Sequence, residues 1–452
     1  MLIKKTKLYQ YIFLLIITLM VIFNGGNNNL YIQFNFVIIS IFFLLLTREK
    51  NYFANMMEIF LKNKLAIKLY FLFIIFLIFQ TIPLPIEWLT FLSPEKYNIL
   101  DKLEFKGNFN SISLSPVNSY FNLLNYLTLF LYLITFKSLF YKKRNIFKFY
   151  YFLVMLGAFA ASVAVYFYLI GNPDFWFIKN EINSSAATGF FINRTVFSCF
   201  LTLCFFCGIE YLSKIDKYKK DDTNNFFNKI YIRIFLLLIT IAIITSFSRL
   251  GNFLFISVII LYILQAFYIN DKKNKFFLIT LILIVIFDIL IIGFYFGSEK
   301  LFQRYLFLSN DLNIDVASST EVAMNRVVFL KFAFIEFKKF IFFGYGGGGF
   351  EYLFKINFKN LSTTYAANAH SDLAEFMGEF GLIGFTLIAS CLLFLCANKR
   401  FLSFKNFILC YLLAFILFFD FSFHIPIIQF LFFLLLSINY EQNNNFEYKF
   451  RG

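Results

Sequence analysis

Apolar runs of roughly 15–23 residues recur along the whole 452-residue chain, each near the length an α-helix needs to cross the hydrocarbon core of a bilayer. Twelve such segments fall at about 8–23, 30–46, 66–82, 119–140, 149–170, 190–212, 230–246, 250–269, 276–297, 380–397, 407–424 and 426–439. The first, second and last are short. With 60% apolar residues and a mean hydropathy of +0.72, the chain reads as an all-α, polytopic membrane protein rather than a soluble domain with a large core. Lys4, Lys5 and Lys7 ahead of the first run resemble the start of a signal peptide. No small-residue cleavage site follows Phe23, however, and the turn NGGNNN leads directly into the next run, so the first segment is expected to be a retained helix.

Charge orients the stack. With the N-terminus inside, the basic clusters Arg48 to Lys68, Lys142 to Lys148, Lys214 to Lys229, Lys272 to Lys275 and Lys399 to Lys405 all fall inside, together with both tails. Most acidic residues then fall outside, from Glu87 to Glu104 and from Glu299 to Glu379. The net charge of +15 therefore reports topology, and a nucleic-acid partner is not expected. All six cysteines lie in apolar spans. Cys204 and Cys207 form a CxxC pair without the further ligands or polar setting of a zinc or redox site, and are read as packing residues.

Two outer segments are long enough to carry function, 83–118 and 298–379, both within a single membrane domain covering 1–452. In the second, the stretch Asn325 to Phe340 mixes apolar and charged positions, which suits a helix along the membrane interface that would guide a lipid-linked substrate. A cap packed on the bundle is equally compatible. The glycine run Gly344 to Phe350, containing Gly346 and Gly349, lacks the Gly-Lys-Ser/Thr of a nucleotide phosphate loop and lies on the side without ATP. Its glycines are expected to permit positive φ and close backbone approach and so to shape a site, although exposed N–H groups there could still meet an anion.

Three arginines sit at the outer boundary: Arg194 in GFFINR, Arg249 in TSFSR and Arg326. An arginine bordering a span is costly unless paired or facing a wet cavity, and its planar fork suits a phosphate. Arg194 would otherwise pair with an intramembrane acid, and Arg249 would snorkel to the interface. The segment NAHSDLAEFMGEFGLIGF places His370, one of two histidines in the chain, beside Asp372, Glu375 and Glu379 at the mouth of a helix. If Ser371 is the N-cap, Asp372 and Glu375 complement the helix dipole; if the helix includes His370, the three acids share one face and His370 takes the opposite one. A histidine at a helix N-terminus tends to be neutral, and a neutral imidazole is a competent base. Catalysis and a hydrogen-bonded boundary role both remain open for His370, and the carboxylates are compatible with a structural role. His424, beside Pro426 at the end of the eleventh span, lies apart from the arginine and glycine elements and is expected to tolerate replacement.

The order GFFINR, TSFSR, an arginine followed by a GxGxxxF element, and AHSDLAEFMGEFGLIG resembles the O-antigen ligase and polymerase family of bacterial inner membranes, from about Ser113 to about Phe432. The late DFSFHIPIIQF is similar to the closing spans of that family. The resemblance implies glycosyl transfer on the periplasmic face from an undecaprenyl-diphosphate-linked glycan to a lipid A-core acceptor, without a cofactor. It implies that His370 deprotonates the acceptor hydroxyl and that Arg249 and Arg326 hold the diphosphate, with Arg194 a third arginine at the Asn-Arg element. Ser371 and Thr195 stand where asparagine is common in the family. With two histidines and no carboxylate cage in view, no metal is expected. A polymerase extending the glycan or a transferase to protein would share this chemistry. A transporter would gather ionisable groups at the midplane, where only Asp288 is found.

Overall fold

The computed structural model describes residues 2–174, 186–218, 223–269, 283, 286, 326–357, 366–396 and 403–438. Among these residues it holds sixteen α-helices and one two-residue-per-strand ribbon, so the chain is an all-α polytopic membrane protein. Helices are the consequence of the solvent: inside hydrocarbon each backbone N–H and C=O must be paired within its own segment. Apart from residues 283 and 286, the expected span at 276–297, with Asp288, lies outside the described residues, as do residues 298–325 and 358–365 of the outer segment.

The remaining eleven expected spans coincide with helices. They are α1 (Leu2–Ile22), α2 (Asn29–Thr47), α4 (Lys64–Thr81), α7 (Pro116–Leu139), α8 (Lys143–Leu169), α9 (Arg194–Tyr218), α10 (Thr223–Thr245), α11 (Arg249–Ile269), α14 (Asp372–Cys396), α15 (Phe404–Phe419) and α16 (Pro426–Leu436). Eight of them are long and apolar enough to cross a membrane, whereas α1, α15 and α16 supply shorter apolar stretches. Local chemistry sets several starts. Asn28 accepts the Leu30 N–H at 3.1 Å, and Pro116 and Pro426 occupy first-turn positions where no N–H is needed.

Helix α9 is buried along its whole membrane-length window, while α2 is mostly uncovered and presents Leu30, Phe34, Val37, Ile41 and Leu44 at helical spacing, a lipid-facing stripe. The bundle therefore has α9 at its centre and α2 at its rim. Close contact is made by small residues: a Cβ on Gly157 of α8 would lie 2.6 Å from Cys204 Cβ in α9. Cys204 and Cys207 are buried free thiols, in keeping with the packing reading.

Between α4 and α7, the segment 83–118 folds into β1 (Leu84–Pro85), α5 (Ile86–Leu92), α6 (Pro94–Lys102) and β2 (Phe109–Asn110), with β1 and β2 antiparallel and Leu84 opposite Asn110. A further helix, α3 (Lys50–Lys62), lies between α2 and α4. Before α14 come α12 (Arg326–Lys339) and α13 (Phe350–Asn357). Phe329 and Ala333 of α12 enter a small core with Phe350, Leu353, Phe354 and Ala374, so α12 is a cap packed on the bundle. At the opposite end, buried Glu210 pairs with Lys214 and accepts the Tyr262 hydroxyl at 2.7 Å, and buried Lys405 donates to Leu435 O and Ile438 O.

Candidate active site

Ser371 caps α14, as its position before the acids suggested: the Glu375 N–H donates to Ser371 O at 3.1 Å and the Ala374 N–H reaches Ser371 Oγ at 3.5 Å. His370 precedes the cap in a left-handed conformation, φ 56°, uncommon for a residue with a side chain. Its ring lies against Phe329 of α12 at 5.8 Å and edge-on to Phe421 at 5.3 Å. Nδ1 is buried without a hydrogen-bond partner. Burial first, and the nearby Arg326 guanidinium second, hold the imidazole pKa down at about 4. The ring is thus neutral at pH 7 and keeps a lone pair.

Arg326 opens α12 and donates from Nη1 to Phe419 O at 3.4 Å, at the end of α15. It also acts on Asp420, where burial pushes the carboxyl up to about 6 while the Ser422 hydrogen bond and Arg326 pull it down. His370, Arg326 and Asp420 therefore share one corner. Arg194 and Arg249 begin α9 and α11, and these two starts pack together. Asn193 Oδ1 caps α9 by accepting the Thr195 N–H at 2.7 Å, Ser248 Oγ donates to Thr195 Oγ1 at 3.3 Å, and a Cβ on Gly251 would lie 1.9 Å from Ser198 Oγ. One turn into α11, Phe253 meets Phe415 at 5.0 Å, and Phe415 stacks on Phe419, whose carbonyl holds Arg326. The Cys199 thiol of α9 reaches Ser422. All three arginines thus stand at one end of the bundle.

The three carboxylates point elsewhere. Asp372, Glu375 and Glu379 lie on one face of α14, buried, and converge on His424 in the 3₁₀ turn Ser422–His424 between α15 and α16. His424 Nδ1 bonds Asp372 Oδ1, the other oxygen of Asp372 accepts the Phe423 N–H at 2.7 Å, and Nε2 stands 3.6 Å from both Glu375 Oε1 and Glu379 Oε2. The ring stacks on Phe376 at 4.3 Å. Two expectations are overturned here. His424 is enclosed by acids rather than isolated, because the return of the chain through residues 420–425 brings it onto α14. The premise that no carboxylate cage exists also fails, since the fold builds one from residues that are only 3 to 7 positions apart on a helix plus a histidine 45 residues further on. One signal was legible in the sequence: Asp420, Ser422 and His424 interrupt a run that is otherwise apolar.

The glycine loop holds a side chain of the protein itself. Gly348 N–H donates to Glu379 Oε1, Gly346 N–H donates to Glu379 O at 3.0 Å, and Tyr345 N–H donates to Gly378 O at 3.0 Å. Gly346 has φ 87°, and a Cβ there would lie 2.2 Å from Ser113 Oγ; Gly349 donates to Gly346 O at 3.1 Å and closes the loop. Helix α14 is broken opposite, at Gly381 (φ 60°, ψ −173°), where Leu382 N–H donates to Ile341 O at 2.8 Å. This break falls where the tenth span is expected to begin, near residue 380, and Asp372 to Phe380 form a further helical stretch ahead of it. Gln80 of α4 ties both parts together, donating to Phe343 O at 2.6 Å and Glu379 O at 2.8 Å. Close backbone approach, as expected, is what the glycines provide.

No curated protein matches the chain in sequence. Residues 234–389 match the family described as O-Antigen ligase, a stretch that contains Arg249, Arg326, the glycine loop, His370 and the three carboxylates and leaves Arg194 and His424 outside it. In agreement with the order of its motifs, this stretch, about a third of the chain, is similar to the O-antigen ligase family.

Proposed function

We propose that this protein transfers a glycan from an undecaprenyl-diphosphate-linked donor to a lipid A-core acceptor at the periplasmic face of the bacterial inner membrane. The observation that carries the reading is the corner shared by His370 and Arg326, where a neutral imidazole with a free Nδ1 sits beside a guanidinium. The acceptor hydroxyl oxygen attacks the anomeric carbon and its proton passes to His370. The bond from that carbon to the diphosphate oxygen breaks, and the electron pair leaves with undecaprenyl diphosphate. Charge grows on the leaving group, so Arg326, with Arg249 and Arg194 at the same end, stabilises the transition state more than the ground state. Bidentate guanidinium geometry suits this role better than an ammonium.

The low pKa of His370 fits the sequence of events. With the donor absent, Arg326 helps keep the ring unprotonated; when an anionic diphosphate settles beside Arg326, that positive field is cancelled and the imidazole becomes more basic when a proton must be accepted. No metal on the reacting atoms enters the scheme. Asp372, Glu375, Glu379, Gly346 and Gly349 support it by fixing the start of α14 that presents His370.

The test is purified full-length protein in detergent with lipid-linked donor and lipid A-core. Transfer that is lost in His370→Ala while donor binding persists supports the reading, and full activity of that variant overturns the assignment of the base. In a deletion strain, loss of the whole lipopolysaccharide ladder with accumulation of lipid-linked polymer marks a ligase. Core bearing a single repeat marks a polymerase, and an unchanged ladder with loss of glycoprotein marks a transferase to protein.

A further inference from the structure

We propose that Glu375, Glu379 and His424 form a binding site for one divalent cation of borderline character, Zn²⁺ in preference to Mg²⁺ or Ca²⁺, behind the His370 corner. The donor atoms are arranged as such a site requires. His424 Nδ1 is held by Asp372, which leaves the lone pair of Nε2 facing Glu375 Oε1 and Glu379 Oε2. A carboxylate fixing the far nitrogen of a ligating histidine is the recurrent outer shell of metal sites. Each glutamate spends one oxygen on a backbone N–H, Glu375 on Ala369 at 2.8 Å and Glu379 on Gly348, and turns the other toward Nε2. The three ligand atoms lie within 4.8 Å of one another.

Distance decides between a hydrogen-bonded cluster and a cation site. At 3.6 Å, Nε2 is beyond hydrogen-bond range of either glutamate oxygen, and both Nε2 and Glu379 Oε2 are buried without a hydrogen-bond partner. An ion with metal–ligand bonds of about 2.0–2.2 Å spans a 3.6 Å separation with a bent angle at the metal. Charge points the same way. Three buried carboxylates face a single imidazole among the described residues, and uncompensated charge in a low-dielectric interior is costly. One imidazole with two carboxylates is a mixed nitrogen–oxygen set, which suits zinc, whereas magnesium and calcium favour oxygen alone. His424 keeps 15% of its side chain accessible, so the turn Ser422–His424 offers a way in. The ion would tie the 420–425 connection to α14 and through Glu379 to the glycine loop, a positioning role that leaves the donor untouched.

The site is tested by the metal content of full-length protein purified in detergent through a tag that binds no metal. The expected result is about one equivalent of zinc per chain retained through gel filtration, falling at least roughly five-fold in Glu375→Gln and in Glu379→Gln. Protein stripped with chelator should regain thermal stability on addition of Zn²⁺ and not of Mg²⁺. Should the variants fail to fold, X-ray absorption on the wild type decides: one imidazole and light oxygen ligands at about 2.0–2.2 Å support the site, and a spectrum without imidazole overturns it. Wild-type protein that holds less than about a tenth of an equivalent and gains no stability from Zn²⁺ overturns the proposal, as does equal metal in wild type and folded variants. None of these readouts depends on glycan transfer.

Discussion

At the residue scale, His370 stands as the proposed base while the three acids that neighbour it in sequence enclose His424. Replacement of His370 by alanine should leave an inserted, donor-binding protein whose turnover falls about 10²–10⁴-fold, the usual contribution of a general base, as read in the purified assay. The sign of its pH dependence follows from the depressed pKa. A base must be unprotonated, so kcat/KM should stay flat as pH falls from 7 and decline only near about 4. Arg326→Gln removes the second cause of that depression. The acid limb of the residual activity should then move upward, but only partly, because burial is the larger cause and remains. A limb near 6.5 in the wild type would show that burial and Arg326 do not depress the imidazole. Arg326→Lys should retain more activity than Arg326→Gln and less than the wild type, since lysine meets a phosphate as a point charge. His424→Gln, by contrast, leaves buried Asp372 and Glu375 with a neutral neighbour, and breaking a buried pair in this way costs about 3–5 kcal/mol. Thermal unfolding in detergent should show this loss, and an unchanged midpoint would contradict the enclosed position of the ring.

At the element scale, the break in α14 is what turns a plain span into part of a site. Gly381 has φ 60° and ψ −173°, a region open essentially only to glycine, and a Cβ would lie 2.4 Å from Phe342 O and 2.5 Å from Gly344 N. Both are backbone atoms and cannot swing aside. Gly381→Ala should therefore destabilise by more than the roughly 1–3 kcal/mol of backbone strain alone. Gly171, with φ 87° and open space where its Cβ would stand, is the matched control, and its alanine variant should show strain without the clash. Equal unfolding temperatures for the two variants would show that the glycine loop does not press on the break. Helix α12 belongs to the same unit, because its Phe329 packs both on Phe354 of α13 and on the His370 ring.

At the scale of the whole molecule, α9, α11, α12, α14 and α15 all contribute to one end of the bundle, with a basic and acidic cluster around Glu210 and Lys405 at the other. The orientation proposed for this assembly puts the His370 end outside. A cysteine replacing exposed Asn27, in the turn between α1 and α2, should react with impermeant thiol reagents on intact spheroplasts, and one replacing Asn274 should not. Labelling at 274 from outside would invert the stack and remove the periplasmic site with it.

Which segments become long apolar helices, that Ser371 is a cap candidate for α14 and that α12 exists were legible along the chain. These features depend on neighbours a few residues apart: a bilayer demands a continuous apolar run, and a cap needs only a serine before the first acid. The enclosure of His424 was not legible, nor was the break at Gly381 within α14. Both depend on which polar group meets which across helices, and in a bundle whose surfaces are apolar almost everywhere, hydropathy carries no record of that pairing. Only the packing of residues 420–425 onto α14, with the glycine loop braced by Gln80 and Glu379, decided that three acids apparently suited to a helix N-terminus would surround the other histidine.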